Sequence, residues 1–148
     1  MQQLSTRPGA MAHIRGGSDA PDLYGIVKFY PQQQGVLVVA DVFGLPPDNP
    51  SGFFALHIHQ GASCAGDGFP DTGSHYNPTE AAHPAHAGDL PPLLSCHGKA
   101  HLAVLTDRFT LPEVLGRTVV IHSGPDDFRS QPAGNAGTKI ACGVIQPV

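Results

Sequence analysis

The placement of the histidines constrains the fold of this sequence more than any other feature. Five of the nine histidines lie in three short motifs within residues 56–89. The motifs are His57-Ile58-His59, Gly73-Ser74-His75-Tyr76-Asn77-Pro78 and His83-Pro84-Ala85-His86-Ala87-Gly88-Asp89, and Thr118-Val119-Val120-Ile121-His122 follows much later. Imidazole nitrogens with one carboxylate suit zinc and copper, whereas magnesium and calcium prefer oxygen ligands. The sequence therefore predicts a fold that gathers these motifs around a two-metal site.

Length and composition limit the class of protein. A chain of 148 residues is the size of a single domain, and we treat residues 1–148 as one. Charged residues make up 14%, and the 18 glycines and 15 prolines favour short strands joined by turns. The net charge of -4, with no cluster of lysine and arginine, argues against nucleic-acid binding. No apolar run reaches the roughly 20 residues of a membrane span.

The N-terminal segment has weak structural signals. Residues 1–22 are expected to form a loose arm, with Met11–Arg15 as a short edge strand. No secretory signal can be read, so the expected location is the cytoplasm by default. The alternative is an exported protein whose leader is missing from this chain.

The remaining pattern is that of β-strands. Strands are expected at Leu23–Tyr30, Gly35–Val42, Phe53–His59, Lys99–Thr106, Arg117–His122 and Lys139–Ile145, with a helical turn at Leu111–Leu115. Residues 60–92 and 123–137 are too rich in turn-forming residues for long regular elements. Seven or eight short strands with two long loops predict an antiparallel sandwich or barrel of Greek-key type.

The first histidine pair lies within a predicted strand. Residues two apart in a strand point to the same face, so His57 and His59 should project together. Phe54, Leu56 and Ile58 then face the core. An isolated pair of this kind is more often solvated than metal-bound, so the other motifs carry the metal prediction.

The second cluster supplies a complete ligand set for zinc. Three imidazoles and one carboxylate, from His75, His83, His86 and Asp89, fill a tetrahedral shell without an open position. Such a site is structural, not catalytic. The alternative is a polar loop that contains histidines by chance.

The three cysteines leave two readings open. Cys64 opens the long loop and Cys142 lies in the last predicted strand. A disulfide between them would be worth roughly 4 to 5 kcal/mol in the chain-entropy model. Three free thiols are the default for a cytosolic protein. Cys96 is left over in either case.

Together these motifs resemble the copper/zinc superoxide dismutase family. The order continues with Cys64 after the first motif, then Asp126-Asp127, Gly134-Asn135-Ala136-Gly137 and Ala141-Cys142-Gly143-Val144-Ile145 after His122. The resemblance runs from about Leu23 to Ile145. It implies an eight-stranded Greek-key β-barrel, an immunoglobulin-like sandwich, with two long functional loops.

The resemblance also implies specific site residues. Copper would be held by His57, His59, His75 and His122, and zinc by His75, His83, His86 and Asp89, with His75 bridging the two ions. Asp126 would accept hydrogen bonds from His57 and His83 and thereby orient both rings. Cys64 and Cys142 would form the disulfide of the family.

The implied activity is the conversion of two superoxide anions into dioxygen and hydrogen peroxide, with redox-active copper and structural zinc as cofactors. His75 would carry a proton, and Lys139 would guide the anion. The alternative is a copper/zinc-binding protein of the same fold with weak or no dismutase activity. A homodimer is left open.

Three departures from the family pattern keep both readings open. Lys139 stands where the family has an arginine, which keeps the charge but loses the planar fork of donors. His83 and His86 are only three residues apart, so one of them is expected to bind with altered geometry or to fail. The segment Phe128-Arg129-Ser130-Gln131-Pro132 is brief and lacks a charged stretch, which leaves Arg129 and Lys139 to attract the anion.

Overall fold

The computed structural model of the protein describes residues 5–148, in which eight antiparallel strands form one sheet. The strands are β1 (Ala10–Gly16), β2 (Tyr24–Pro31), β3 (Val36–Phe43), β4 (Phe53–His59), β5 (Asp89–Leu94), β6 (Ala100–Thr106), β7 (Thr118–His122) and β8 (Lys139–Pro147). Their order in the sheet is β5-β4-β7-β8-β1-β2-β3-β6. The sheet curls until its two edges, β5 and β6, approach each other, so the architecture is a nearly closed barrel. The predicted all-β barrel with eight strands is confirmed.

Two long loops leave the barrel from two neighbouring strands. The metal loop (residues 60–88) joins β4 to β5, and the second loop (residues 123–138) joins β7 to β8. Since β4 and β7 are hydrogen-bonded neighbours, both loops start from adjacent positions on the barrel wall. The metal loop contains a short 3-10 helix, Pro70–Thr72, and a single turn of helix α1 (Leu111–Val114) precedes β7.

Apolar side chains at alternating strand positions fill the barrel interior. On β4 the side chains of Phe54, Leu56 and Ile58 are at most 1% exposed and belong to the main core cluster. His57 and His59 therefore point to the other face of the same strand, as the period of two requires. The core thus fixes β4 in the register that presents both imidazoles to the two loops.

The N-terminal strand differs from its prediction as an edge strand on a loose arm. β1 pairs with β2 on one side and with β8 on the other. Ala10, Ala12 and Ile14 are buried in the core. The segment carries few β-branched residues, so its sequence gives only a weak strand signal. In the structure, pairing on both sides holds the strand in place. Residues 1–4 of the predicted arm lie outside the described residues.

The fifth strand lies inside a segment that was predicted to be irregular. β5 carries Pro91 and Pro92, residues that disfavour a central strand. It lies at the edge of the sheet and pairs only with β4, so a strand without a full set of N–H donors is tolerated there. The prediction of an irregular stretch over residues 60–92 was wrong for its last part.

The disulfide between Cys64 and Cys142 is present, with a Cα–Cα distance of 5.8 Å. It ties the metal loop to β8, and Cys142 packs with Phe69 and Val120 in a small cluster outside the main core. Cys96 is a free and exposed thiol. The reading with three free thiols is thereby excluded.

Candidate metal centre

Six histidines and one aspartate converge between the barrel wall and the two loops. His57 and His59 lie on β4, His122 ends β7, and an isolated bridge places His75 beside His59. The metal loop adds His83 and His86, and Asp89 is the first residue of β5. All six histidines are buried, with at most 6% of the residue surface exposed.

The first group consists of His57, His59, His75 and His122. Each offers one nitrogen, and the four nitrogens lie within 4.8 Å of one another. The Nε2 atoms of His59 and His122 are 3.3 Å apart. The structure therefore brings together all four residues that the resemblance assigns to copper.

The second group is built from His75, His83, His86 and Asp89. The Nδ1 atoms of His75 and His86 are 3.1 Å apart, and those of His83 and His86 lie 3.1 and 3.2 Å from Asp89 Oδ2. A tetrahedral zinc ion with bonds of about 2.0 Å has ligand atoms about 3.3 Å apart. The spacing in this group is therefore that of a zinc shell.

The short link between His83 and His86 leaves both rings beside Asp89, because both Nδ1 atoms face its carboxylate. The expectation that one of them binds with altered geometry or fails to bind stays a prediction. The four residues whose ligand atoms all lie within 4.8 Å of one another on this side are His57, His75, His83 and Asp89, without His86. The Nε2 of His57 is bonded to Asp126, however, and only Nδ1 is left to face the first group, so His86 fits the second group better.

Hydrogen bonds fix which ring nitrogen carries a lone pair. The Nε2–H groups of His57 and His83 donate to the two oxygens of Asp126 over 2.8 and 2.7 Å. The Nδ1–H of His59 donates to the Gly73 carbonyl over 2.8 Å. The opposite nitrogen of each of these three rings is therefore an acceptor that points into the cluster.

Two of these acceptors are buried without a partner. Among the described residues, the buried ring nitrogens with no hydrogen-bond partner are His57 Nδ1, His75 Nε2, His83 Nδ1 and His122 Nδ1. His83 Nδ1 even faces the Asp89 carboxylate at 3.1 Å without hydrogen-bond geometry. Buried acceptors aimed at one another cost free energy unless a cation lies between them. The donor set therefore fits two metal ions.

Burial favours the neutral form of four of the six imidazoles. The pKa of His59 is lowered to about 2 and that of His122 to about 3, mainly by desolvation and partly by the nearby histidines and Lys139. Burial also lowers the pKa values of His57 and His86. Neutral imidazole is the form that binds a metal, so the site is ready to bind at neutral pH.

The two carboxylates of the centre are ionised for a different reason. Burial alone would raise the pKa of Asp126, but hydrogen bonds from His57 and His83 lower it well below its ordinary value. The pKa of Asp89 is likewise lowered by His75, His83 and His86 against the effect of burial. Both carboxylates therefore carry their charge at neutral pH.

A cleft opens onto the first group from solvent. Its volume is about 520 Å³, and its lining includes His59, His75, His122 and Lys139. Arg129, the second cation considered from the sequence, is not part of this lining. Lys139 is the one lysine or arginine among the cleft residues that the structure describes.

Three residues of this neighbourhood were missed from the sequence. Thr72 accepts a hydrogen bond from Lys139, Gln131 contacts the backbone of His83, and Arg108 contacts the carbonyl of His86. Each acts through a contact distant in sequence, and none lies in a motif that signals it.

The remaining histidines lie away from the centre. His101 pairs with Asp41 on the outer face of the barrel, with 2.6 Å between Nδ1 and Oδ1. His13 and His97 belong to neither metal group. None of the helices in residues 5–148 has the length and apolar character that a membrane span requires.

Comparison with known proteins agrees with this geometry. The model of the copper/zinc superoxide dismutase family matches residues 23–145. Copper–zinc superoxide dismutase 2 of Aquifex aeolicus is 36% identical over 150 residues, covering 91% of this chain and 86% of that protein. The enzyme of Legionella pneumophila is 36% identical over 134 residues, covering 85% and 80%.

Relatives also include an extracellular protein and a solved structure. The extracellular copper–zinc superoxide dismutase of Mus musculus is 34% identical, with 86% of this chain matching 55% of that protein. The crystal structure of a double mutant of a superoxide dismutase-like protein from Bacillus subtilis has a TM-score of 0.81 at 25% identity, covering 92% and 96%. The chain belongs to the copper/zinc superoxide dismutase family.

Proposed function

We propose that the protein is a superoxide dismutase that holds copper at His57, His59, His75 and His122, and zinc at His75, His83, His86 and Asp89. The observation that carries the proposal is the position of His75. Its Nδ1 lies 2.8 Å from Asp89 Oδ1 in the second group, while its Nε2 is a buried acceptor in the first. One imidazole thus has a nitrogen available for each ion.

Bound copper would supply one-electron redox chemistry, and bound zinc would supply a fixed charge at the far side of His75. The protein residues supply the arrangement. His59 and His122 lie on strands β4 and β7, so their spacing is set by the barrel. His75 lies at the wall of the cleft with Nε2 inside the cluster, where it can hold a proton for transfer to a reduced anion.

Lys139 supports the choice of a small anion as substrate. Its ammonium group donates to Thr72 Oγ1 over 2.7 Å and to the Gly73 carbonyl over 3.1 Å. A third donor is left for a ligand in the cleft. With a net charge of -4 on the chain, this local cation is what would attract superoxide.

A copper/zinc-binding protein with weak or no dismutase activity is the second candidate. The lysine favours it, because an ammonium group lacks the two parallel donors of a guanidinium. Retention of four buried imidazoles in the first group favours the active enzyme, since a purely structural role needs no redox site.

A direct experiment separates the two. The metal-free protein is loaded with copper and zinc, the metal content is measured by mass spectrometry, and superoxide decay is followed by pulse radiolysis. One copper and one zinc per chain, with a second-order rate constant near the diffusional range of about 10⁸ to 10⁹ M⁻¹s⁻¹, establishes the enzyme. Full metal content with superoxide decay no faster than in buffer establishes the second candidate.

The disulfide bears on the compartment. Disulfides persist in oxidising compartments and are rare in a reducing cytosol. The Cys64–Cys142 bond therefore favours the exported alternative over the cytoplasmic default. Cell fractionation with an antibody against the protein tests this. The homodimer stays a prediction, which sedimentation of the metal-loaded protein would test.

A further inference from the structure

The backbone of His83 is paired with a side chain from the other loop. Its N–H donates to Gln131 Oε1 over 2.9 Å, and Gln131 Nε2 donates to the His83 carbonyl over 2.7 Å. One carboxamide thus satisfies both backbone groups of a single residue, as a neighbouring strand would. Together with the bond from His83 Nε2 to Asp126, the second loop makes three hydrogen bonds to this histidine.

The part of the second loop that presents Gln131 is itself held in place. Asp127 Oδ1 accepts hydrogen bonds from the backbone N–H groups of Arg129 and Ser130 over 2.9 and 2.8 Å. The N–H of Gly134 donates to the Ser130 carbonyl over 2.7 Å, and that of Asp127 donates to the Gly134 carbonyl over 3.0 Å. The segment is therefore a closed turn, with Gln131 inside it.

Gly134 shows how closely this turn approaches the zinc side. A Cβ at this position would lie 2.0 Å from Asp126 Oδ1 and 2.7 Å from His83 Nε2. The residue also has φ of 72°, which favours glycine. The second loop thus passes directly over the hydrogen bond between Asp126 and His83.

The other end of the histidine link is held from β6. Arg108 Nη1 donates to the carbonyls of Pro84 and His86 over 2.7 and 3.2 Å. The guanidinium lies just beyond the end of β6, at the sheet edge opposite β5. The short link from His83 to His86 is therefore fastened at both ends by side chains outside the metal loop.

We infer that Gln131 and Arg108 are positioning residues that fix the short His83–His86 link in zinc-binding geometry before zinc is present. This rests on the proposed function of the second group as a zinc site. It also relates two departures from the family pattern: the second loop is brief because it closes over an abbreviated zinc segment. Neither residue belongs to a group of candidate metal ligands.

The expected effect is on zinc affinity. Removing a partner that orients a ligand typically weakens metal binding by about 10–100-fold. Both side chains are exposed at the surface, where water competes for their hydrogen bonds, so the lower end of that range is expected for either one. Copper affinity should change little, because His57, His59 and His122 lie on strands.

The test uses the full chain, metal-free and with its disulfide intact. Zinc is titrated against a chelator for the parent, Gln131→Met, Gln131→Glu and Arg108→Ala. Gln131→Met keeps the length and loses both bonds, while Gln131→Glu keeps the acceptor for the His83 N–H. Gln146→Ala, on the exposed end of β8, is the control. We expect zinc affinity to fall about tenfold in Gln131→Met and Arg108→Ala, and less in Gln131→Glu.

A second readout separates positioning from general stability. Hydrogen exchange of the metal-free protein should quicken in residues 82–88 of the variants, while β4 and β7 stay protected. Cobalt bound in place of zinc should show a changed visible spectrum in Gln131→Met, because its bands report ligand geometry. If the Met variant fails to fold, the Glu variant carries the comparison.

The outcomes are distinct. A parent that binds zinc, with variants of equal zinc affinity and equal exchange in residues 82–88, overturns the inference and leaves the zinc site standing. A parent that binds no zinc overturns the proposed zinc site and the inference with it.

Discussion

The ammonium group of Lys139 donates a 2.7 Å hydrogen bond to the hydroxyl oxygen of Thr72, a residue with no exposed surface. The Thr72 hydroxyl in turn donates to the Phe69 carbonyl over 2.8 Å. Lys139 also donates to the carbonyl of Gly73, which accepts from His59 Nδ1 as well. The cation of the cleft and one proposed copper ligand are therefore held by the same short segment of the metal loop.

This arrangement predicts how substitutions at residue 139 affect the rate. Lys139→Ala should cut the rate about tenfold and flatten its dependence on ionic strength, since the local cation is lost. Lys139→Arg should hold or raise the rate, because a guanidinium offers two parallel donors to a diatomic anion. Pulse radiolysis at several salt concentrations measures both effects. Copper content, the internal control, should be unchanged, and equal rates in all three proteins would remove Lys139 from the mechanism.

A pH dependence follows from the surroundings of the same side chain. Burial lowers the pKa of Lys139 below its usual value of 10.5. The charged form attracts the anion, so activity should be lost as pH rises through this lowered pKa, before a solvent-exposed lysine would titrate. In Lys139→Arg the decline should move to higher pH, because a guanidinium stays charged. A pH–rate profile with the same alkaline limb in both proteins would assign the decline to another group.

The disulfide should matter for stability and for the cleft. Cys64 and Cys142 are 78 residues apart, which in the chain-entropy model is worth about 4.5 kcal/mol as an upper value. Replacing both with serine should lower the melting temperature more than any single ligand substitution. Because Cys142 packs against Phe69, near Thr72, the rate should fall as well. Calorimetry checks the first effect, with Cys96→Ser as the control that leaves the melting temperature unchanged.

The sequence predicts the strands that carry clear alternation and the residues that carry metal-binding atoms. Phe54, Leu56 and Ile58 face the core as the alternation requires, and the two histidines between and after them face the loops. Six of the eight strands were placed from this signal, and β1 was recognised as a strand with the wrong neighbours.

Other features depend on contacts that no local pattern encodes. β5 contains two adjacent prolines and becomes a strand only because the barrel offers it an edge position. Thr72 and Gln131 are ordinary polar loop residues in sequence, and their partners lie 67 and 48 residues away. The metal ligands could be predicted because their chemistry is rare, whereas the residues that hold them use common hydrogen bonds.

The copper assignment predicts a sharp effect at the end of β7. His122→Ala should remove one ligand from a group whose other members stay on β4 and in the metal loop. Copper affinity should fall by more than the roughly 10–100-fold that follows loss of an orienting partner, and dismutase activity should collapse. Stability should fall by only about 1–3 kcal/mol, since the core side of β7 is untouched. Metal content, dismutase rate and melting temperature are measured together. Retained activity in this variant would contradict the assignment of His122 to copper.

The hydrogen bonds of Asp126 predict that the two metal sites are coupled. Its two carboxylate oxygens accept hydrogen bonds from His57 and His83, one ring from each proposed metal shell. Asp126→Asn keeps the shape but replaces one acceptor with an NH₂ donor, which cannot accept from an Nε2–H. One of the two rings must then lose its partner or change tautomer, and the other keeps a weaker neutral bond. Copper and zinc affinities should therefore both fall, by about 10–100-fold for the ring that loses its partner.

The matched control for this substitution is Asp41→Asn on the outer face of the barrel. Asp41 also pairs with a histidine, His101, at 2.6 Å, but that pair is exposed and belongs to neither metal group. Its replacement should leave both metal affinities and the rate unchanged. Chelator competition with copper and with zinc, carried out on the two variants and the parent, gives the comparison. A loss confined to a single metal in Asp126→Asn would show that the carboxylate orients only one of the two rings in solution.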